Sequence, residues 1–331
     1  MHLSYAQNLE DFHLDLIFAG QPTGTYVDVG GGHPVADNVS FWFYLKGWQG
    51  LIVEPQAALA EAYAHIRPRD RVYQGLAGAK DGSVAFHQVD GLHGLSSMDR
   101  AAAERAQQFG AGYRTIDMPV RRLDALIGEA KLTAIDFLKI DVEGAEDQVL
   151  AGLDLGHVRP KVIVVEAVNP GNLDGRAGPW EAPILAANYR FAFFDNLNRF
   201  YVAEEVAASL MPRFPQAPAG WDAVGHLWDH GRAVDTPAHA DHKLARVLVH
   251  GLMATLPSLD PNFLAQLIER GLEGQKLKPG SAEAMAALIG TAENPSHAPP
   301  PKDLAALMAS DHFRAALGRI ACFYDGGHIV D

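Results

Sequence analysis

The chain predicts an α/β protein with a doubly wound, mostly parallel sheet, followed by a C-terminal helical extension. Three observations carry this expectation. Short apolar, β-branched runs alternate with stretches of helical periodicity through the first two hundred residues; glycines punctuate the joins; and the alternation stops near Glu205, where a proline-rich stretch begins.

Leu9, Phe12, Leu16 and Ile17, with His13 on the same face, recur at helical spacing, so about Gln7 to Ala19 predicts an amphipathic helix ending at Gly20. Thr25-Tyr26-Val27-Asp28-Val29 predicts a buried strand that runs directly into three glycines. Val39 to Lys46 predicts a helix closed by Gly47, and Gly50-Leu51-Ile52-Val53-Glu54 a second strand stopped by Pro55, which completes one βαβ unit. A helix from about Gln56 to His65, a strand near Val72 to Leu76 and a short ribbon from Ser83 to Val89 follow. Ala134 to Ile140 predicts the fourth strand, Ala145 to Ala151 a helix, Lys161 to Glu166 the next strand, and Tyr189–Asp195 with Arg199–Ala203 a closing hairpin around Asn196-Leu197-Asn198.

Residues 1–205 are therefore expected to form one α/β domain, 206–220 a proline-rich linker and 221–331 a mainly helical accessory domain. The accessory domain has helical stretches near 241–256, 262–273 and 282–289, a proline-rich break at 295–301 and a last helix through Leu304, Leu307 and Met308.

With 27 basic and 40 acidic residues the net charge is −13, a field that repels phosphate backbones and excludes nucleic acid as a partner. The single cysteine, Cys322, rules out an internal disulfide and a multi-cysteine metal cluster. Met1 to Leu16 carries Glu10, Asp11 and Asp15 where a leader would be cationic and then apolar, and no later run is long enough to cross a bilayer; a cytoplasmic protein without a membrane span is expected.

The chemistry concentrates at Val27-Asp28-Val29-Gly30-Gly31-Gly32, with Glu54 at the tip of the next strand. Glycines allow a tight turn and a close backbone approach to a ligand, and an acid at the neighbouring tip accepts both ribose hydroxyl hydrogen bonds, so the pattern predicts a nucleoside cradle. The blander alternative is a tight turn beside a solvated strand end. A nicotinamide dinucleotide is disfavoured, because Val35, with Pro34 beside it, stands where its third glycine would be. Asp28 instead suits a ligand bearing a cationic sulfonium and an amino group, as S-adenosylmethionine does.

Ser4 to Asp11, Tyr26 to Gly30, Gly47 to Pro55 and Phe137 to Glu146 are similar to four successive blocks of the FkbM methyltransferase family, and Phe194 to Tyr201 to a later one. The resemblance covers about Met1 to Glu205. It implies the class I, Rossmann-like methyltransferase fold and transfer of a methyl group from S-adenosylmethionine to a hydroxyl oxygen of a sugar, glycan or polyketide-like product. It also implies that Asp28, Gly30, Gly32 and Glu54 hold the cofactor, with Gly31, Pro55, Leu76 and Ala77 completing the expected cofactor-binding set. Gly31-Gly32-His33-Pro34 departs from the family's more common alanine-asparagine loop.

Methyl transfer needs an aligned hydroxyl and removal of its proton. Asp141 and Glu143 after the fourth strand and His33 and His93 in flanking loops are the candidate catalytic groups. Asp141 and Glu166, on neighbouring tips, are candidates to hold Mg2+ or another divalent cation; the alternative has Asp141 capping a helix and Glu166 meeting acceptor hydroxyls without metal. Trp42 and Trp48 are candidates to stack on a sugar, against a core role for the run Phe41 to Tyr44. His226, His230, His239 and His242, with Asp229 and Asp241, form a second cluster in which His226 and His230 are spaced to share a helix face, read either as a metal site or as solvated histidines. The competing function is a non-catalytic cofactor-binding module that partners glycan-modifying enzymes. A small-molecule or glycan acceptor and a homo-oligomer formed through the C-terminal region are the expected partners.

Overall fold

The computed structural model describes residues 3–89, 96–98, 100, 104, 111–168, 177–288, 302–321 and 324, in two compact units, 1–229 and 230–331. His93, the proline-rich stretch 295–301 and Cys322 lie outside the described residues.

The first unit begins with strand β1 (Leu3–Ser4), helix α1 (Glu10–Ile17), β2 (Thr25–Val29), α2 (Phe41–Leu45), β3 (Gln49–Val53), α3 (Ala57–Ile66) and β4 (Arg71–Tyr73). Next come β5 (Leu76–Ala77), β6 (Gly82–Val89), β7 (Tyr113–Arg121), α4 (Leu123–Glu129), β8 (Phe137–Ile140), α5 (Glu146–Ala151) and β9 (Val162–Glu166). The unit closes with α6 (Glu181–Ala186), β10 (Tyr189–Phe194), β11 (Asn198–Ala203), α7 (Glu204–Leu210) and β12 (Gly225–His226).

Seven strands form the main sheet in the order β10-β11-β9-β8-β2-β3-β4. The five strands from β9 to β4 run parallel, and β11 and β10 join antiparallel. The chain's first strand of this sheet stands in the middle and successive strands leave it in both directions, which makes the gap between β2 and β8 a topological switch point.

The pleat sorts each parallel strand onto two faces. Val27, Val29, Leu51, Val53, Leu138, Ile140, Ile163 and Val165 pack with residues of α4, α5 and α6. Tyr26, Ile52, Phe137, Val162, Val164 and Phe200 pack on the other face with α1, α2, α3 and α7.

The expected strand near Val72 to Leu76 divides. Arg71–Tyr73 pairs with β3 in the main sheet, whereas Leu76–Ala77 pairs with β7 in a separate three-stranded sheet ordered β5-β7-β6. The ribbon expected at Ser83 to Val89 finds its partner in β7, along the full register from Gly82 and Val120 to Val89 and Tyr113.

Residues expected to be a linker, 206–220, and the first residues of the expected accessory domain, 221–229, are instead built onto this unit. Ala207 and Leu210 of α7 are buried in its core, Phe214 packs against that core, and β12 pairs parallel with β1, Leu3 opposite Gly225 and Ser4 opposite His226. His226 is thus a buried strand residue, off any helix face.

The second unit contains α8 (His242–Thr255), α9 (Pro261–Gly274), α10 (Ala282–Leu288), α11 (Leu304–Met308) and α12 (Asp311–Ala321). Leu272, Ala284, Met285, Leu304 and Leu307 form its small core. No helix among the described residues is long and apolar enough to cross a membrane.

Candidate functional site

The carboxyl ends of β2, β3 and β8 open on a cavity of about 660 Å³, within the range of small-molecule sites. Its walls are the glycine loop Gly30 to His33, the β3 tip Val53 to Gln56, Gly75 with strand β5 and the β8 tip Asp141 to Glu143. Gln7, Asp37, Met98 and Trp228 close other sides.

The glycines are there for distinct reasons. Gly30 has φ +82°, and a Cβ there would meet the carbonyl oxygen of Asp141 at 1.7 Å. A Cβ on Gly31 would meet Ile52 Cγ2 at 2.6 Å and the Tyr63 hydroxyl at 2.7 Å. Gly32, at φ +58°, has nothing within 4 Å of that position, so its backbone is bare toward a ligand. The backbone NH groups of Gly30 and Gly31 donate to the Val53 carbonyl, at 2.9 and 3.3 Å, so the loop is stitched to the tip of β3.

Glu54 joins the two elements through its side chain. Its Oε2 accepts from Gly32 N at 2.8 Å and its Oε1 from Gln56 N at 2.7 Å. The group is 2% exposed, and burial pushes its pKa up to about 7 against the two backbone donors that hold it down. Each oxygen keeps a further lone pair, the capacity needed for a vicinal diol. The sequence expectation for Gly30, Gly31, Gly32, Glu54, Pro55, Leu76 and Ala77 puts seven residues in one place, and all seven line this cavity.

Asp28 does not line it. The pleat points Asp28 the same way as Tyr26, into a buried polar network, where its carboxylate accepts from Ser40 Oγ at 2.6 Å. Burial raises its pKa, with Ser40 and then Arg67 pulling the other way.

Arg67 is the centre of that network and is fully buried. It donates to Pro34 O at 3.2 Å and Asn38 Oδ1 at 2.8 Å through Nη1, to the Tyr26 hydroxyl at 3.0 Å and Ser40 Oγ at 2.9 Å through Nη2, and to Asp70 Oδ2 at 2.8 Å through Nε. Asn38 Nδ2 in turn donates to Gly31 O at 2.8 Å. A guanidinium fork thus fixes the back of the loop whose front faces the cavity.

At the β8 tip, Asp141 and Glu143 line the cavity, and Glu166 sits behind them at the end of β9. One oxygen of each of these three carboxylates lies within 4.8 Å of the others. Lys139 Nζ stands 3.2 Å from Asp141 Oδ2 and 2.7 Å from Asn198 Oδ1. Burial would lower the Lys139 pKa, but Asp141, Glu10 and Glu166 outweigh it and raise it. Burial, then the charge of Asp141, drive the Glu166 pKa strongly upward, and its Oε2 meets no hydrogen-bond partner among the described residues. The network continues through Asn198 Nδ2, which donates to Glu10 Oε1 at 2.7 Å, and Glu10 Oε2 accepts from Asn8 N at 2.7 Å, while Asn8 Nδ2 donates to Asp195 O at 2.8 Å.

His33 lines the cavity, but its Nδ1 accepts from Val35 N at 3.1 Å and Ala36 N at 3.0 Å. That engages the lone pair a neutral imidazole uses as a base and leaves the ring proton on Nε2. His93 lies outside the described residues. Trp48 is 0% exposed and Trp42 packs into the same core, so neither faces the cavity.

Four residues in or behind the cavity wall escape a local reading of the sequence. Arg67 and Asn38 act through contacts made only on folding, Lys139 sits inside an apolar strand, and Trp228 lies in a segment that reads as the start of a separate domain. The signal available for Lys139 was a lone cation in a fully buried strand, which requires a partner.

Residues 28–191 match the model of the methyltransferase FkbM domain. Over 61 residues the chain is 51% identical to the AMB antimetabolite synthetase AmbE of Pseudomonas aeruginosa, a stretch amounting to 18% of this chain and 3% of that protein. The chain therefore spans only a small piece of that relative's length. It is also similar, at 9% identity and a TM-score of 0.33, to the crystal structure of a TehB-like SAM-dependent methyltransferase from Corynebacterium glutamicum, over 60% of this chain and 88% of that one.

Proposed function

We propose, for a chain whose residues 28–191 belong to the FkbM methyltransferase family, that it moves the methyl group of S-adenosylmethionine to a hydroxyl oxygen of a sugar, glycan or glycosylated polyketide-like acceptor. The observation that carries the reading is the meeting, in one cavity, of a ribose-type cradle at Glu54 and Gly32 with the carboxylates of Asp141 and Glu143. Glu54 takes the ribose hydroxyls, and Pro55, Leu76 and Ala77 flank the adenine. S-adenosylmethionine, when bound, would supply a sulfonium methyl open to in-line attack by the acceptor oxygen, with S-adenosylhomocysteine as the leaving group, and Asp141 would take the hydroxyl proton. Lys139 holds the Asp141 carboxylate in place, and Glu143 accepts from a second acceptor hydroxyl. His33 keeps a structural role in the loop.

Mass spectrometry of the protein incubated with S-adenosylmethionine and candidate acceptors tests this. S-adenosylhomocysteine should form only when acceptor is present, and Asp141→Asn should bind S-adenosylhomocysteine yet fail to turn over. Cofactor binding without turnover on any hydroxylated acceptor supports the non-catalytic module instead.

The unsatisfied Oε2 of Glu166 and the closeness of three carboxylates favour a second reading, in which Asp141 and Glu166 hold a divalent cation such as Mg2+ that lowers the hydroxyl pKa. The Lys139 ammonium already beside Asp141 opposes it. Chelation should abolish turnover, and Mg2+ or Mn2+ restore it, only under this second reading. For residues 230–331 the proposed role is control of acceptor access or self-association, and for the whole chain the proposed location is the cytoplasm.

A further inference from the structure

Trp228 is the exposed aromatic residue in the cavity wall, 61% exposed, where a ring of that size is normally covered. Its orientation is set from both ends. The indole Nε1 donates to Asp37 Oδ1 at 3.0 Å, and its backbone NH donates to His226 Nδ1 at 3.3 Å. Because Nδ1 of His226 accepts, its Nε2 carries the proton, and that nitrogen lies 2.9 Å from the Ala6 carbonyl. The pairing of β12 with β1 anchors the same segment.

The chemistry around the indole is that of a polyol site. Asp37, Asp141 and Glu143 bring carboxylates to the cavity and Gln7 brings an amide, all able to accept from hydroxyls, while an indole face takes the C–H face of a pyranose. Glu54, Pro55, Leu76 and Ala77 serve the nucleoside, which leaves the wall built by Gln7, Asp37 and Trp228 to the acceptor. Trp42 and Trp48 lie in the core and supply no such face.

We propose that Trp228 is the stacking platform for the sugar ring of the acceptor, contributed by a segment that lies beyond the family domain. This rests on the carbohydrate reading above and names the residue that would select for it.

Saturation-transfer NMR of the full chain, saturated with S-adenosylhomocysteine and titrated with methyl pyranosides of glucose, galactose, mannose and rhamnose, tests the assignment. At least one pyranoside should bind. Trp228→Ala should weaken that binding about tenfold, and Trp228→Phe should keep it within about threefold, because a smaller ring still stacks. Calorimetry with S-adenosylhomocysteine should show the same affinity in all three proteins. Equal pyranoside binding by Trp228→Ala, or no pyranoside binding by a wild-type chain that does bind S-adenosylhomocysteine, overturns the platform. A matching loss of S-adenosylhomocysteine affinity in Trp228→Ala also overturns it, by assigning the ring to the cofactor. If the wild-type chain binds no S-adenosylhomocysteine, the underlying cofactor reading fails instead.

Discussion

The carbonyl oxygen of Asp141 stands 1.7 Å from where a Cβ on Gly30 would sit, so the first glycine of the loop after β2 is dictated by the tip of β8 beside it. The same close approach brings the cradle and the proposed base into one cavity: the parallel neighbours β2 and β8 end side by side, Val29 opposite Ile140.

Gly30→Ala should therefore be severe. It forces a side chain into a left-handed backbone at φ +82° and into a carbonyl that cannot move without displacing Asp141, together costing about 3 kcal/mol in thermal or denaturant unfolding. Gly32→Ala meets no atom within 4 Å, so about 1 kcal/mol, the backbone cost alone, is expected. Equal destabilisation by the two would show that the clash is relieved by an easy shift.

Glu54 gives the cofactor a pH dependence. Burial raises its pKa from 4.5 to about 7 in the fold, so its contribution to stability is fully present below pH 4.5 and is lost as pH rises through 7. Under the proposed cofactor role ligand binding should run the other way, because the ionised carboxylate accepts from two backbone NH groups and can accept two ribose hydroxyls as well, while a protonated one turns an acceptor into a donor. Affinity for S-adenosylhomocysteine should rise as pH climbs through about 7, with proton release visible by calorimetry in buffers of different ionisation heat. Glu54→Gln should abolish that dependence and weaken binding by about 1 to 3 kcal/mol, since an amide NH2 must oppose either Gly32 N or Gln56 N.

The parts of this site legible in the sequence are those whose signal is local. Three glycines after a β-branched run, an acid at the next strand tip and a motif after the fourth strand each fall within about ten residues of a strand end, and each reaches the cavity. Asp28 shares that locality, yet its place on the pleat turns it to the opposite face, a distinction that depends on which face the ligand uses. Strand β7 shows Ile116, Met118 and Val120 in alternation, but Pro119 inside the run disguises it. Arg67 reads as an ordinary charge at a helix end, because all its hydrogen-bond partners but Asp70 lie 27 to 41 residues back in the chain. Trp228 and Asp37 are 191 residues apart, and the pairing of β1 with β12, with the contact of His226 to the Ala6 carbonyl, helps bring them together.

Arg67→Met should cost about 3 to 5 kcal/mol, the range for breaking one side of a buried charged network, because it strips donors from Asp70, Asn38, Ser40 and Pro34 at once. The same change should lower cofactor affinity without touching a cavity residue, since Asn38 then loses the partner that orients it toward Gly31 O. An Arg67→Met protein with unaltered unfolding midpoint would show that the network is energetically neutral.

His13 should make the fold acid-sensitive. It is buried against Phe193 and Phe200, its Nε2 accepts from Ala219 N at 3.1 Å, and desolvation lowers its pKa from 6.5 to about 4. The unfolded chain takes up a proton near pH 6.5 and the folded one only near 4, so this stability is fully present above pH 6.5 and is lost as pH falls to about 4. The loss is roughly 3 kcal/mol. Denaturant midpoints of His13→Gln and wild type, compared at each pH, should converge as pH falls through that window; parallel curves would mean that His13 protonates freely in the fold.

The last expectation concerns where the chain can be cut. Residues 214–229 belong physically to the first unit: Phe214 packs on its core, Val224 is buried, His226 reaches the Ala6 carbonyl and Trp228 lines the cavity. A chain ending at Asp229 keeps all of these contacts and should be soluble, cooperative in unfolding and equal to the full chain in affinity for S-adenosylhomocysteine. A chain ending at Arg213 loses the strand paired with Leu3 and Ser4 and uncovers part of the core, so it should aggregate. Size-exclusion chromatography with calorimetry separates the cases. If the Asp229 chain stays folded but loses acceptor turnover or changes its mass in solution, residues 230–331 act as an accessory unit. If it precipitates, those residues complete the core and the two units are not separable; if the Arg213 chain is equally soluble and equally able to bind both ligands, the β1–β12 pairing contributes nothing to the fold or the site.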